Sequence, residues 1–296
     1  MVPQAERNYS NRLTEAEAAA VVERLNQADV EELSIRQAYY QLLDAGEYLC
    51  SLSSMHRIMR RAGQSTDRRR HRPHRPVGSR RTPRLRADAP RQVWCWDITN
   101  LTGPGRQLFK LYTIIDLYSR YVIGYRVEQC ERPELAAAMF TDAFTRHRCT
   151  PMIIHADNGA PMRAGSVRDL FGTLHITASY SRPRVSNDNP FAESLFKTVK
   201  YDLAFPDRFD SIEQARSWAA EFFQRYTTRH HHAGLAGHTP ERVHDGSWPG
   251  IHDNWVNTKA DYAAHHPERH RRAPITHTPP DTVWINQPNQ QLSQTA

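Results

Sequence analysis

Apolar residues recur at helical spacing in three short stretches near the start of the chain. The first runs from Leu13 through Val21 and Val22 to Leu25, and Thr14 followed by Glu17 predicts a capping box at its start. Ser34 opens a second helix with Ala38, Tyr39, Leu42 and Leu43 on its apolar side, ending near Gly46. Ser51 or Ser53 caps a third, through Met55, Ile58 and Met59 to Gly63. From Arg91 the pattern shifts to strands, predicted at 92–101, 109–117 and 121–127, with Gly103-Pro104-Gly105 as a hairpin turn. Pro133 then opens a helix through Leu135, Met139 and Phe144. A strand at 152–156, a helix near 167–170 and a strand at 175–178 follow. Asn189-Pro190 starts a further helix, with Pro at a natural first helical position. Asp210-Ser211 with Glu213 starts the next, bearing Ala215, Trp218, Phe222 and Phe223. Three antiparallel strands followed by alternating helix and strand form an α/β layered pattern.

The stretch 66–90 breaks both periods. Pro73, Pro76, Pro83 and Pro90 forbid regular helix, and the Arg excess resists compaction, so it reads as a linker. Charge sharpens this. Between Arg57 and Arg91 stand thirteen Arg, no Lys and only Asp67 and Asp88, a local +11 against +7 for the chain, which leaves −4 elsewhere. Localised basicity points to a polyanion docking near that segment. Arg68, Arg69 and Arg70 are its densest part, and such segments track phosphates with little sequence choice. The third helix adds His56, Arg57, Arg60 and Arg61. On patterning alone, a helix-turn-helix and a small helical bundle with a solvated basic face fit equally well.

The 296 residues allow one large domain and a smaller one. No apolar run reaches the roughly 20 residues of a membrane span, and no cleavable apolar signal opens the chain. Cys50, Cys95, Cys130 and Cys149 are scattered, which argues for reduced thiols in a cytosolic protein over a zinc or redox site.

Three acids stand in contexts suited to chemistry. Asp97 interrupts the apolar run Val93–Thr99, Asp157 ends the strand at 152–156, and Glu193 lies just inside the helix opened by Asn189-Pro190. A carboxylate beside a buried strand needs a compensating cation, and converging carboxylates repel unless hard divalent ions with a preference for oxygen join them. This points to metal-dependent phosphoryl transfer. Lys200 lies seven residues beyond Glu193 on the same helical face, and Lys197 four beyond. Lys200 is read as a phosphate contact; Lys197 is equally a surface residue. The loop 181–189, with Arg182 and Arg184, either closes on DNA or only caps a helix. His155 either orients Asp157 or simply packs. Asp116 is read as structural, paired with Arg120 or closing a turn. His230, His231, His232 and His238 are read as a surface or DNA-facing cluster rather than a zinc site.

Taken in order, Trp94-Cys95-Trp96-Asp97-Ile98-Thr99, Ile115-Asp116-Leu117-Tyr118-Ser119-Arg120, His155-Ala156-Asp157-Asn158-Gly159 and Ser186–Glu193 resemble the integrase core of bacterial insertion-sequence transposases, over roughly residues 88–245. The resemblance is closest to the group often made by joining two overlapping frames. Its Asp, Asp, Glu set, with thirty-five residues before the Glu and a basic residue seven beyond, maps onto Asp97, Asp157, Glu193 and Lys200. Ser34–Tyr40 and Gly46–Ser51 are similar to the same group's N-terminal region, which favours DNA binding there. The resemblance implies a ribonuclease-H-like fold, a mixed five-stranded sheet flanked by helices and preceded by a helix-turn-helix region. The implied division is 1–65, a linker at 66–90, the catalytic core at 91–245 and a Pro-rich, partly irregular extension at 246–296. It also implies DNA cleavage and strand transfer with two Mg²⁺ or Mn²⁺ ions, held by Asp97 as the bridging ligand with Asp157 and Glu193 as ligands to one ion each. Attack would come first from water and then from a DNA 3′-hydroxyl. Expected partners are double-stranded DNA, further copies of the chain assembled on it, and an upstream-frame product; the expected setting is the bacterial nucleoid. The alternative is a catalytically impaired or domesticated DNA-binding relative. The chain departs from the group's pattern at Asn158, where Arg is common, and at Tyr226-Thr227, where Tyr-Asn is common.

Overall fold

The structure, a computed structural model, describes residues 13–31, 33–64, 82–157, 159, 164–182, 188–269, 272 and 274–288. Its helices are α1 (Glu15–Leu25), α2 (Ile35–Asp44), α3 (Leu52–Arg61), α4 (Pro133–His147), α5 (Gly165–Thr173), α6 (Pro190–Lys200), α7 (Ile212–Arg229), α8 (Pro240–Asp245) and α9 (Trp248–His265). Its strands are β1 (Leu85–Ala87), β2 (Val93–Thr102), β3 (Leu108–Asp116), β4 (Val122–Glu128), β5 (Ile153–Ala156), β6 (Thr177–Tyr180) and β7 (Val283–Ile285). They fall into two compact units. One contains the described residues up to 64 with 230–238 and 246–279; the other contains 82–229, 239–245 and 280–288.

In the helical unit, Thr14, Ser34 and Ser51 each accept a backbone N–H at a helix start, and Thr14 with Glu17 completes the capping box. The helices bury Val21, Leu25, Leu42, Leu43, Met55 and Met59 against one another. Trp255 of α9 belongs to the same core, and its indole N–H donates to Asp44 at 2.8 Å. The segment from 246, read as one C-terminal extension, divides between the units, 246–279 in this one and 280–288 in the other. The histidines also differ from the surface cluster expected of them. His231 and His238 are buried, His231 stacked on Tyr40 and His238 on Trp255. Rings from α2 and α9 supply that burial, and neighbouring sequence gives no sign of either. Gly237 closes the same region at φ +94°, where a Cβ would run into the Tyr40 ring.

The second unit is an α/β core with a mixed five-stranded sheet flanked by helices, as expected. Its five-stranded sheet has the order β4-β3-β2-β5-β6. The β2–β3 and β3–β4 pairs are antiparallel; β2–β5 and β5–β6 are parallel. Both faces are covered, which is why β2 reads as a continuous apolar run rather than an alternating one. Val93 and Cys95 point into a core shared with α6 and α7, whereas Trp94 and Trp96 point into one shared with α4 and α5. Strand β6 begins two residues later than expected. His175 holds a left-handed φ of 56° and its N–H still bonds Gly172, so the chain is turning off α5 at that point. Of the expected linker, residues 66–81 lie outside the described residues, and the rest contains a short strand, β1. Leu85–Ala87 pairs antiparallel with Val283–Ile285, and the buried Leu85, Ala87, Val283 and Ile285 join the α6–α7 side of the core. Among the described residues no helix is long and apolar enough to cross a membrane, and all four cysteines are free.

Candidate active site

Register brings the first two acids together. In the parallel β2–β5 pair Trp96 stands opposite Ala156, so the next positions on the two chains are Asp97 and Asp157. Neighbouring strands lie about 5 Å apart. Alternation then sets the face. Trp94, Trp96, Ile154 and Ala156 all belong to the α4–α5 core, so Asp97 and Asp157 project from the opposite side. That is the side covered by α6, whose Leu195, Phe196 and Val199 pack there. Glu193 lies in the first turn of α6, where a carboxylate suits the positive end of the helix dipole.

Asp97 is partly buried, and its carboxylate accepts one short bond, from the Ile98 N–H at 2.8 Å. Burial, then the charge of Asp157, raises its carboxyl to about 7; the Ile98 bond opposes the rise, Glu193 adds to it and Lys200 opposes it. Three of the four residues named by sequence thus act on the carboxyl of the fourth. Asp157 closes a tight turn, accepting the Gly159 N–H at 2.7 Å. Lys200 feels the reverse: burial lowers its ammonium while Asp97 raises it. Lys197 is exposed on the same helix. Among the described residues, no group of three His, Cys, Asp or Glu side chains stands ready to hold a metal ion.

Other polar residues of this unit are spent on structure. Asp116 is fully buried and accepts from the backbone N–H groups of Arg91, Tyr118 and Ser119 and from the Ser119 hydroxyl. It closes a turn, as its sequence context suggested. Arg120, buried at φ 63°, lays its guanidinium 4.0 Å from the Phe191 ring centroid and so braces the first turn of α6. His155 is packed: Nδ1 lies 3.0 Å from the Ser179 hydroxyl and Nε2 2.7 Å from the Asp188 carbonyl. Arg182 is held by Asp188 through its guanidinium at 2.8 and 2.9 Å, which leaves it less free for DNA than its sequence suggests. Burial alone would raise the Asp188 carboxyl, but Arg182 and Asn286 hold it below its ordinary value. Asn189 does not cap α6 with its side chain; the amide instead donates to the Trp96 carbonyl at 3.3 Å.

In the helical unit, Arg57, Arg60 and Arg61 are exposed along α3, with Arg57 donating to Ser54 and Arg61 paired with Glu15 at 3.1 Å. Arg68, Arg69, Arg70 and Arg184, together with Asn158, lie outside the described residues. Sequence reasoning missed Asp188 and Asn286, and it paired Arg120 with Asp116 without its place over Phe191. The Asn187-Asp188-Asn189 run carried only a turn signal, and nothing near Asn286 pointed towards the acids.

The integrase core domain family matches this chain at residues 87–186 and, through a second integrase core domain description, at 174–240. The chain is 26% identical over 159 residues to the transposase for insertion sequence element IS904 of Lactococcus lactis, covering 53% of this chain and 62% of that one. It is 28% identical over 162 residues to transposase InsF for insertion sequence IS3A of Escherichia coli, covering 53% and 54%. The matches thus span little more than half the length of these curated relatives. Among solved structures, the HTLV-2 integrase catalytic core domain in complex with magnesium aligns with a TM-score of 0.40 and 16% identity, over 53% of this chain and 97% of that one.

Proposed function

Because the chain belongs to the integrase-core family, we propose that it is an insertion-sequence transposase, cutting DNA and joining the cut ends to a target by metal-dependent phosphoryl transfer. The observation that carries this reading is the register that sets Asp97 beside Asp157 on the face covered by the Glu193 helix.

The donor set fits Mg²⁺ or Mn²⁺. All three side chains offer carboxylate oxygens, the ligands hard divalent ions prefer, and a cation there would offset the burial and the repulsion that raise Asp97. Asp97, Asp157 and Glu193 would hold the ions. Bound there, the ions supply activation of an attacking oxygen and stabilisation of the leaving one. The chain's own residues do the rest. Asp97 would have to be ionised to hold a cation, so binding would strengthen as pH rises towards 7. Lys200, beside Asp97, holds a backbone phosphate against the acids, with Lys197 one turn nearer Glu193. Arg57, Arg60 and Arg61 on α3 and Arg68, Arg69 and Arg70 beyond it neutralise phosphates away from the reacting bond. Moving an element requires work at two DNA ends, which calls for at least two copies of the chain on DNA.

The test is strand transfer with labelled element ends and Mg²⁺ or Mn²⁺. The parent chain is expected to join ends, and Asp97→Asn, Asp157→Asn and Glu193→Gln are expected to bind the same DNA without cutting it. A variant that joined ends at the parental rate would remove its residue from the site.

A further inference from the structure

The turn that enters α6 is fastened to both strands that carry the other acids. Asp188 has no exposed surface, and its carboxylate takes four hydrogen bonds. Three come from the Arg182 backbone N–H and guanidinium, at 2.8, 2.8 and 2.9 Å. The fourth comes from the side-chain amide of Asn286 at 2.8 Å. The Asp188 carbonyl faces His155, two residues before Asp157. The neighbouring Asn189 donates to the carbonyl of Trp96, one residue before Asp97, and its own carbonyl accepts the Glu193 N–H at 3.2 Å. One dipeptide therefore touches the chain within two residues of Asp97 and of Asp157 and bonds Glu193 directly.

Asn286 reaches this point from the far end of the core. It follows β7 at φ 53°, a left-handed conformation that Asn tolerates better than most residues. The same amide group also donates to the Pro83 carbonyl at 3.0 Å, just before β1. Its two hydrogens are thus divided between the β1 entry and the buried carboxylate.

We propose that Asp188 and Asn286 are positioning residues for the acidic centre, with the turn after β7 serving as a clasp that sets the α6 entry, and hence Glu193, against Asp97 and Asp157. This rests on the catalytic reading of the three acids. If Asn286 lets go, the Asp188 carboxylate turns to recover a donor and carries the 188–189 peptide with it. That peptide holds the links to both strands. Neither side chain is among those expected to meet DNA or metal, so the effect falls on metal loading and turnover and spares DNA affinity. Displacing a catalytic group by about 1 Å can cost on the order of 100-fold in rate. Losing a partner that orients a metal ligand costs about 10–100-fold in metal affinity.

The experiment compares the full chain with Asn286→Gly, which keeps the left-handed backbone and deletes the amide, and with Asn286→Asp, which sets a like charge against Asp188. Three quantities are read: the Mn²⁺ concentration giving half the metal-induced rise in melting temperature without DNA, affinity for end DNA, and the strand-transfer rate at saturating DNA. Both variants are expected to need about tenfold more Mn²⁺ and to turn over at least tenfold more slowly, Asn286→Asp more so, with DNA affinity within about twofold of the parent. Asn286→Gln, which restores the donor, is expected to recover part of the loss. Parental metal titration and rate in Asn286→Gly would overturn the proposal. So would an equal fall in DNA affinity and rate without a change in metal requirement, since that is the mark of general destabilisation. Should the parent itself join no DNA, the catalytic reading fails; the Mn²⁺ titration, with Asp97→Asn as its blank, still decides whether Asn286 shapes the site.

Discussion

Asp97 and Asp116 stand on neighbouring strands of one sheet, and burial pushes both carboxyls upward. They differ in what answers the charge. Asp116 is met by three backbone N–H groups and a hydroxyl, and Ser119, which supplies the hydroxyl, also lies 2.9 Å from Nδ1 of His244. Among the described residues, Asp97 is met by one N–H, by the charges of Asp157 and Glu193 and, against them, by that of Lys200. A buried carboxylate with a full set of local donors is finished, and it fixes a turn. One that faces like charges with few donors among the described residues is the kind that a cation would stabilise. Apolar context alone does not separate the two, because both interrupt apolar strands.

Substitution should separate them most sharply. Asp97→Asn is expected to lower strand transfer by about 10³-fold or more, roughly 4 kcal/mol of barrier. Its melting temperature in metal-free buffer should hold or rise, because a repelled charge is removed. Asp116→Asn should do the opposite. Its new amide would face either the Arg91 N–H or the Ser119 donors, costing about 3 kcal/mol in urea unfolding, and activity should fall only as the fold is lost. A stable Asp116→Asn or an active Asp97→Asn would dissolve the distinction.

His244 tests the finished side of the comparison through pH. It is stacked on Tyr121, and burial, then the charges of Arg91 and His147, lowers it to about 4, with Asp245 opposing. A base lowered on folding contributes stability that is present above its unfolded value, near 6.5, and lost as pH falls through 4. A lowering of this size corresponds to on the order of 3 kcal/mol at most. His244→Gln should therefore flatten the loss of melting temperature between pH 6.5 and 4, and an unchanged slope would remove His244 from the acid response. The smallest effect is expected at Lys200, on the Asp97 side. Lys200→Ala should reduce the salt dependence of end binding by about one phosphate, with parental thermal stability.

Much of this contrast was legible in the sequence, for reasons that differ between elements. Thr14, Ser34 and Ser51 declared their helices because capping is a local interaction. The acids could be found because each stands beside an element with a clear pattern, and resemblance supplied the spacing between them. Strand β1 was read as linker because three residues carry no measurable period, and its partner β7 lies at the other end of the core. His231 and His238 were read as surface because their burial comes from Tyr40 and Trp255, remote in sequence. Asp188 looked like one more polar residue in a turn. Its four donors come from Arg182 and Asn286, and only folding reveals the second. Local chemistry was readable, and long-range satisfaction was not.

The β1–β7 pair also sets the order in which the protein comes into being. A chain leaving the ribosome presents Asp97, Asp157 and Glu193 well before Val283–Ile285 is made. The five-stranded sheet can begin to form during synthesis, but closing a strand pair across nearly 200 residues is a late event with a high entropic cost. A nascent or prematurely ended chain would hold every acid and lack the strand that Asn286 follows. On the proposed reading, a chain arrested before Val283–Ile285 would carry the three acids without the clasp that the turn after β7 supplies.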